Sequence, residues 1–275
     1  MSSLDSSPRR AALVVAHPGH ELRVHRWLEV ARPVVFVLTD GSGSHGVSRL
    51  ASTTALLDRA GASAGSIYGR LSDRELYRAI RAGDLGLFTA LVDELARGLA
   101  GVEVVAGDAV EGYNPGHDLC RLLLNAAVLR LEAEGRRIAN YDFPLVGAPD
   151  DGLPGDRGAP NEDDLRLELD ARALQRKLAA ARAYPELAGE VEAAVAAHGT
   201  ESFRIERLRP VRYGLSLADI APLFSHPPFY ETHGEKRVVL GLYDQVIRFQ
   251  DHLAPLAAGL ERHVAEESRR ACASC

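Results

Sequence analysis

Three histidines stand directly after apolar runs in the first half of the chain. His17 and His20 belong to AHPGHE, residues 16–21, which follows the run AALVV, and His117 belongs to EGYNPGHD, residues 111–118. Imidazole is the commonest metal ligand among side chains. Three neutral imidazoles from two neighbouring strand ends can hold Zn²⁺ and leave one position open. The ion would lower the pKa of a water molecule bound there toward about 7, which makes hydroxide available at neutral pH.

A structural reading of these histidines competes with the metal reading. The chain contains 10 histidines, so two near each other in sequence are unremarkable. No metal role is assigned to the remaining histidines of interest, namely His25, His45, His198, His252 and His263.

Strand-like and helix-like segments alternate through the half of the chain that carries these histidines. Strands are predicted at residues 11–16, 33–41, 66–69, 102–109 and 137–146, and helices at 21–31, 48–61, 72–83, 84–101 and 117–135. Repeated strand–helix–strand units predict an α/β fold with a mainly parallel, doubly wound (Rossmann-like) sheet and helices on both faces. Such sheets bind ligands beyond the carboxyl ends of their strands. The loops 17–21, 40–47 and 109–117 are therefore the candidate site.

The second half of the chain is interpreted as an elaboration of the same single domain, residues 1–275. A linker rich in Pro, Gly and Asp is predicted at 146–164, after a core at 11–145. The elaboration, 165–267, is predicted to contain a short strand at 165–170, two helices at 171–184 and 185–199, a strand at 202–211 and one long helix at about 237–267. Residues 268–275 are expected to form a flexible tail.

Composition excludes several classes of function. The net charge is −6 without a long run of one sign, which argues against sequence-independent nucleic-acid binding. No apolar stretch approaches the roughly 20 residues of a membrane span, and the polar start MSSLDSSPRR lacks the apolar centre of a secretory signal. We expect a cytoplasmic protein with a small-molecule substrate and without a membrane or nucleic-acid partner. The oligomeric state stays open.

The unit of strand, AHPGHE and helix resembles the AHPDDE signature of the PIG-L/LmbE-type deacetylases. These metal-dependent enzymes remove N-acetyl groups from amino sugars and their conjugates. The segment VFVLTDG, residues 35–41, looks like the second strand and Thr-Asp-Gly turn of the family, and YNPGHDLCRLLLNAAV, residues 113–128, is similar to its H-P-D-H loop and helix. The likeness covers roughly residues 11–145, with a weaker echo in FYETHGEKR, residues 229–237.

The resemblance implies a divalent metal, with zinc expected, bound by His17, His20 and His117. His20 falls where the family has a ligating aspartate, so one carboxylate is exchanged for an imidazole. This exchange makes the centre more positive and should lower the pKa of bound water further. The implied reaction is attack of metal-bound water on an N-acyl amide, expected to be N-acetyl, of an amino-sugar-like or amine substrate.

Three positions depart from the family pattern. Gly19 stands where the family has its general base, an aspartate. Asn114 stands where a histidine stabilises the tetrahedral intermediate, and Gly116 replaces the aspartate that orients that histidine. General base catalysis commonly contributes about 10²–10⁴-fold in rate, so an unreplaced loss predicts a slow enzyme.

Residues in the same loops are candidate replacements. Glu21, Asp40 and Asp118 are candidate bases, and Asn114 is a candidate hydrogen-bond donor to an oxyanion. Each carboxylate also has a structural interpretation. Glu21 and Asp118 would complement a helix dipole in a first turn, and Asp40 would brace the loop that follows it.

Four further residues are candidate substrate contacts: Arg49, Tyr113, Tyr230 and His233. The last two belong to a Pro-rich segment late in the chain that is long enough to fold back over the site, and its alternative role is a packed surface loop.

Two other functions remain open on the sequence. A catalytically degenerate family member would bind a sugar-like or nucleotide-like ligand without hydrolysis. The segment GSGSHG, residues 41–46, matches the dinucleotide-binding pattern G-x-G-x-x-G and would indicate an oxidoreductase. It follows the second strand, not the first, which weakens that interpretation.

Overall fold

The computed structural model describes residues 10–43, 46–147, 163–223 and 227–273. Most of the predicted linker, residues 148–162, and the loop residue His45 lie outside the described residues.

Seven strands form one mixed sheet. They are β1 (Ala11–Val15), β2 (Val34–Thr39), β3 (Ser63–Leu71), β4 (Val104–Asp108), β5 (Ala139–Phe143), β6 (Leu165–Glu168) and β7 (Ile205–Pro210). Their order is β3-β2-β1-β4-β5-β7-β6. The first five run parallel, and β7 is antiparallel to both β5 and β6. The predicted α/β class with a mainly parallel, Rossmann-like sheet is confirmed.

Ten α-helices surround this sheet in the described residues. In chain order they are α1 (His25–Ala31), α2 (Leu50–Ala60), α3 (Asp73–Ala82), α4 (Leu85–Gly98), α5 (Pro115–Ala133), α6 (Ala171–Arg182), α7 (Ala188–His198), α8 (Leu217–Ile220), α9 (Phe229–Val239) and α10 (Ala254–Ala273). None of the helices described is both long enough and apolar enough to cross a bilayer.

Both faces of the sheet are covered, as the alternation along β1 shows. Ala12 and Val14 belong to an apolar cluster built with α3, α4, α5 and α10, whereas Leu13 and Val15 belong to a second cluster built with α1 and α2. Successive side chains of a strand point to opposite faces, so a strand buried on both faces has a continuous apolar sequence. This is the physical reason why the run at 11–16 could be recognised as a central strand.

The first helix differs in form from its prediction. Residues His20–Val24 form a 3-10 turn, and α1 starts only at His25. Val24 at the junction has φ −117° and ψ 35°, outside the helical region, so the two pieces are not one continuous helix.

The single long helix predicted at about 237–267 is wrong. α9 ends at Val239, and Gly241 adopts φ 67°, a left-handed conformation that terminates the helix. The chain becomes helical again through a π-helical turn at Phe249–Leu253, which leads into α10. α10 continues to Ala273, so residues 268–273, predicted as part of a flexible tail, are helical.

The strand order places two of the predicted loops side by side. β1 is hydrogen-bonded to β2 on one side and to β4 on the other, so the chain connections leave β1 and β4 in opposite directions. A crevice opens at such a switch point, beyond the carboxyl ends of the two strands. The loops that follow β1 and β4, which carry the three candidate histidines, meet at this crevice.

Candidate functional site

The rings of the three histidines converge at the crevice between β1 and β4. The ring centroids of His17 and His20 lie 5.3 Å apart, those of His17 and His117 5.1 Å, and those of His20 and His117 4.5 Å. Imidazoles bonded to one tetrahedral zinc ion, with Zn–N bonds of about 2.0–2.1 Å, have centroids about 5 Å apart. The spacing of the rings therefore fits a common ion.

The orientation of His17 is set by the last residue of β2 and the first residue of α3. Its Nδ1 lies 2.8 Å from the hydroxyl of Thr39 and 3.0 Å from a carboxylate oxygen of Asp73. The Thr39 hydroxyl donates to the carbonyl of Ala16, so it accepts a hydrogen bond from Nδ1–H of His17. The proton then sits on Nδ1 and the lone pair on Nε2. Nε2 is buried and has no hydrogen-bond partner in the described part of the chain.

His20 is held in the same way by Asp108, the last residue of β4. Its Nδ1 lies 3.0 and 2.9 Å from the two carboxylate oxygens, and one of these also accepts the backbone N–H of Ala16 at 2.8 Å. Burial alone would lower the pKa of His20, but the negative charge and hydrogen bond of Asp108 raise it above its ordinary value. A carboxylate that orients a ligating histidine through its other ring nitrogen is a recurring feature of metal sites.

His117 lies in the first turn of α5 and is buried. Burial, and then the neighbouring rings of His20 and His17, hold its pKa well below the ordinary value. His117 is therefore neutral at pH 7, the state in which imidazole ligates metals. Its Nδ1 has no hydrogen-bond partner among the described residues.

The donor atoms nevertheless do not form a finished cage. Within residues 10–43, 46–147, 163–223 and 227–273, no group of three or more His, Cys, Asp or Glu side chains has an arrangement able to hold a metal ion. Ring centroids report only that the side chains meet, whereas coordination also requires nitrogen lone pairs directed at one point. The three rings lie close together, but in the described residues they do not form a complete metal site.

The predicted base Glu21 accepts a hydrogen bond from the backbone of its own turn. Its side chain is buried, and its carboxylate accepts the backbone N–H of Gly19 and the hydroxyl of Thr53, each at 2.8 Å. The same hydroxyl lies 2.8 Å from that of Tyr184. Burial raises the pKa of Glu21. Gly19 has φ 106°, which favours glycine, so Glu21 fixes the backbone of a strained turn between the two histidines.

The other two predicted bases also bind backbone amides. Asp40 accepts the N–H of Ser42 at 2.9 Å, and Asp118 accepts those of Glu111 and Gly112 at 3.0 and 3.3 Å. Burial raises the pKa of Asp118 to about 7. Both carboxylates thereby brace the loops that follow β2 and β4.

Asn114, the predicted oxyanion donor, caps α5. Its side-chain oxygen accepts the N–H of Gly116 at 2.7 Å, and its amide donates to the hydroxyl of Tyr77 at 3.0 Å. A side chain at residue 116 would bring its Cβ within 3.3 Å of Nε2 of His17. Glycine at 116 thus keeps open the space beside the buried Nε2 of His17.

A cavity of about 460 Å³ adjoins the histidines. His20 and His117 line it, as do Arg49 and Tyr113, two of the four predicted substrate contacts. Glu21, Asp40 and Asp118 are not part of its described lining.

The other two predicted substrate contacts do not line this cavity. Tyr230 is buried, with its hydroxyl lacking a hydrogen-bond partner in the described residues. His233 stacks on Phe229, whose ring stacks in turn on Tyr113 at 4.9 Å. The segment 229–237 therefore contacts the Tyr113 ring through Phe229.

A backbone amide of the glycine-rich loop after β2 already binds a carboxylate side chain of the protein. The backbone N–H of Gly43 donates to Asp73 at 2.6 Å, and α2 begins four residues beyond Gly46. A dinucleotide site requires free loop amides next to a helix N-terminus. The described part of this loop gives the dinucleotide interpretation no support.

Three residues that orient the histidines were missed on the sequence: Thr39, Asp73 and Asp108. Asp108 lies at the carboxyl end of the strand predicted at 102–109, and this position was a usable signal. On the sequence, Thr39 was considered only as part of residues 35–41, the segment that resembles the second strand and turn of the deacetylase family. Asp73 follows Ser72 in a capping box, so its local pattern indicated only a helix start.

Comparisons with known proteins give no family assignment. No protein-family model, no curated protein and no solved structure matches the chain.

Proposed function

We propose that the chain is a divergent metal-dependent hydrolase of the PIG-L/LmbE type that cleaves an N-acyl amide. The supporting observation is the convergence of His17, His20 and His117 at the switch point of the sheet, with centroid separations of 4.5–5.3 Å. Crevices of this kind are the usual ligand sites of open α/β sheets.

The chemistry of the donor set suits zinc. The partners of Nδ1 on His17 and His20 keep a proton on that nitrogen, so the lone pair of each ring lies on Nε2 when the ring is neutral, and the neutral His117 supplies a third imidazole. Three imidazoles leave a fourth position for water or substrate. Binding would require one nitrogen of each ring to point at the same ion.

The remaining residues of the site have separate roles in orienting the imidazoles and contacting the substrate. Zinc, when bound, acts as a Lewis acid toward the amide carbonyl and lowers the pKa of water. Asp108 and the pair Thr39 and Asp73 keep the two imidazoles oriented. Arg49 and Tyr113 border the cavity and offer a cationic and an aromatic contact to the substrate. An N-acylated amino sugar or amine is the substrate class that the resemblance suggests.

A zinc titration tests the metal centre. The full chain, stripped with a chelator, should bind one equivalent of zinc, and His17→Ala should lose that binding while its circular dichroism spectrum is retained. His25→Ala is the matched control, because His25 is a buried histidine outside the cluster. Zinc binding that survives in His17→Ala, or that is absent in the wild type, would refute the proposed centre.

A second function is favoured by one observation, namely that Glu21, Asp40 and Asp118 are all engaged with backbone amides. If these contacts keep the three carboxylates from acting as a base, the protein would bind its ligand without hydrolysing it. A screen of N-acetyl amino sugars and N-acyl amines separates the two functions. Zinc-dependent release of the free amine supports the hydrolase, whereas saturable binding without release supports the binder.

A further inference from the structure

Helix α7 carries an apolar face that is not buried in the core. Val191, Ala194, Val195 and His198 share one side of the helix, at the spacing i, i+3, i+4 and i+7. No residue of α7 is buried. Val191, Ala194 and Val195 form a short apolar stripe on this side, and Val191 packs in part against the core cluster of α1 and α2, so the stripe keeps surface that a ligand can cover.

The stripe of α7 forms one wall of the cavity at the histidines. The other apolar side chains around the cavity come from α6, from the turn after β1 and from three connecting segments, and they are Leu178, Ala181, Pro18, Leu22, Leu187, Phe203, Leu145 and Val146. The polar side chains of the lining are His20, His117, His198, Tyr113, Arg23, Arg49, Lys177 and Glu190. A single space thus joins the histidine cluster to an extended apolar wall.

The size of the cavity is far beyond what an acetyl group requires. Its volume of about 460 Å³ falls within the range of about 300–1,000 Å³ that pockets for drug-sized ligands occupy. Such pockets have mostly apolar linings with a few polar groups that fix the orientation of the ligand. Apolar side chains outnumber polar ones in the lining of this cavity, and most of them come from α6, α7 and the segments around Leu145, Leu187 and Phe203.

We propose that the cavity receives a hydrocarbon group of the substrate, larger than acetyl and attached next to the scissile amide. The position of the amide at His20 and His117 rests on the proposed function, whereas the apolar preference of the cavity rests on its lining alone. The hydrocarbon belongs either to the acyl group or to the amine. Both sources present the same chemistry to α7.

Binding to the metal-free full chain tests the inference without turnover. N-acetyl-, N-butanoyl-, N-hexanoyl- and N-octanoylglucosamine are titrated calorimetrically, and N-acetyloctylamine provides the arm with the chain on the amine. Affinity should rise by about fourfold for each methylene that enters the cavity, until it is filled. The arm in which affinity rises more steeply with chain length shows whether the hydrocarbon belongs to the acyl group or to the amine. Equal affinities across the series, together with no gain for N-acetyloctylamine over an N-acetylated short amine, would overturn the inference.

A pair of variants locates the effect on α7. Ala194→Phe places a ring in the cavity and should remove the dependence on chain length, whereas Ala193→Phe, on the exposed side of the same helix, should retain it. A dependence that is unchanged in Ala194→Phe would overturn the assignment to this cavity. Chain-length-dependent binding without zinc-dependent hydrolysis would refute the proposed function alone. Hydrolysis restricted to acetyl substrates, without any chain-length gain in binding, would refute this inference alone.

Discussion

The contact between Asp108 and His20 can be tested by the substitution Asp108→Asn, which keeps the shape of the side chain and removes its charge. In the wild type the carboxylate accepts two donors, Nδ1–H of His20 and the N–H of Ala16, within 2.8–3.0 Å. An asparagine has one accepting oxygen, so its NH₂ group faces one of these donors. Even if the oxygen takes the position that both donors share, His20 loses the negative charge that favours a proton on Nδ1 and faces an NH₂ donor in its place.

The expected effect on zinc binding follows from this loss. Removing a carboxylate that orients a ligating histidine typically weakens metal affinity by about 10–100-fold, or about 1.4–2.7 kcal/mol. We expect the dissociation constant for zinc, measured by competition with a chromophoric chelator, to rise by that factor. In the metal-free protein, the ¹⁵N chemical shifts of the His20 ring should show proton density moving from Nδ1 to Nε2.

The matched control is Asp118→Asn, because Asp118 is a buried carboxylate next to the cluster that binds backbone amides and no histidine. Its zinc affinity should change by less than about threefold. The reasoning is refuted if Asp108→Asn, folded as judged by thermal denaturation, binds zinc as tightly as the wild type with its tautomer unchanged.

Three further predictions concern the elements that support the site. Thr53→Val removes the hydroxyl that contacts both the buried carboxylate of Glu21 and the buried phenol of Tyr184, and it should lower the free energy of unfolding by about 1–3 kcal/mol. The control Thr54→Val, on the exposed side of α2, should lower it by less than about 0.5 kcal/mol. Equal losses for the two variants in urea denaturation would contradict this prediction. Gly107→Ala should destabilise the chain by about 1–3 kcal/mol or more, because its Cβ would lie close to a backbone carbonyl of β1; an unchanged melting temperature would disprove the close approach. The pKa of Glu29 is lowered to about 2, mainly by its hydrogen bonds with Arg176, so the pair stabilises the fold above about pH 4.5 and this contribution disappears as the pH falls toward 2. Arg176→Gln should therefore cost about 1 kcal/mol at pH 7, since the half-exposed Arg176 is screened by solvent, and nothing near pH 2; a loss independent of pH would count against the pair.

Much of the fold was accessible from the sequence because the local signals agreed with the tertiary arrangement. Central strands such as β1 are buried on both faces, so their sequences are continuous apolar runs bounded by turns. Helix α3 begins with a capping box and ends at Gly83, whose φ is 61°, so both of its ends were marked by residue type. The predicted helix at 237–267 failed because its apolar spacing continued through residues 240–253, where the backbone conformation at Gly241 divides it.

The sequence by itself determined which histidines lie at strand ends, because residue type and hydrophobic pattern are local properties. Only the tertiary structure decided that β4 lies beside β1, and hence that His117 meets His17 and His20. The tertiary structure also decided the role of each acid. Asp108 and Glu21 both follow apolar segments, yet one carboxylate contacts an imidazole across 88 residues and the other closes its own turn. Contacts between distant segments depend on strand order and register, which are set by packing of the whole chain and have no local signature.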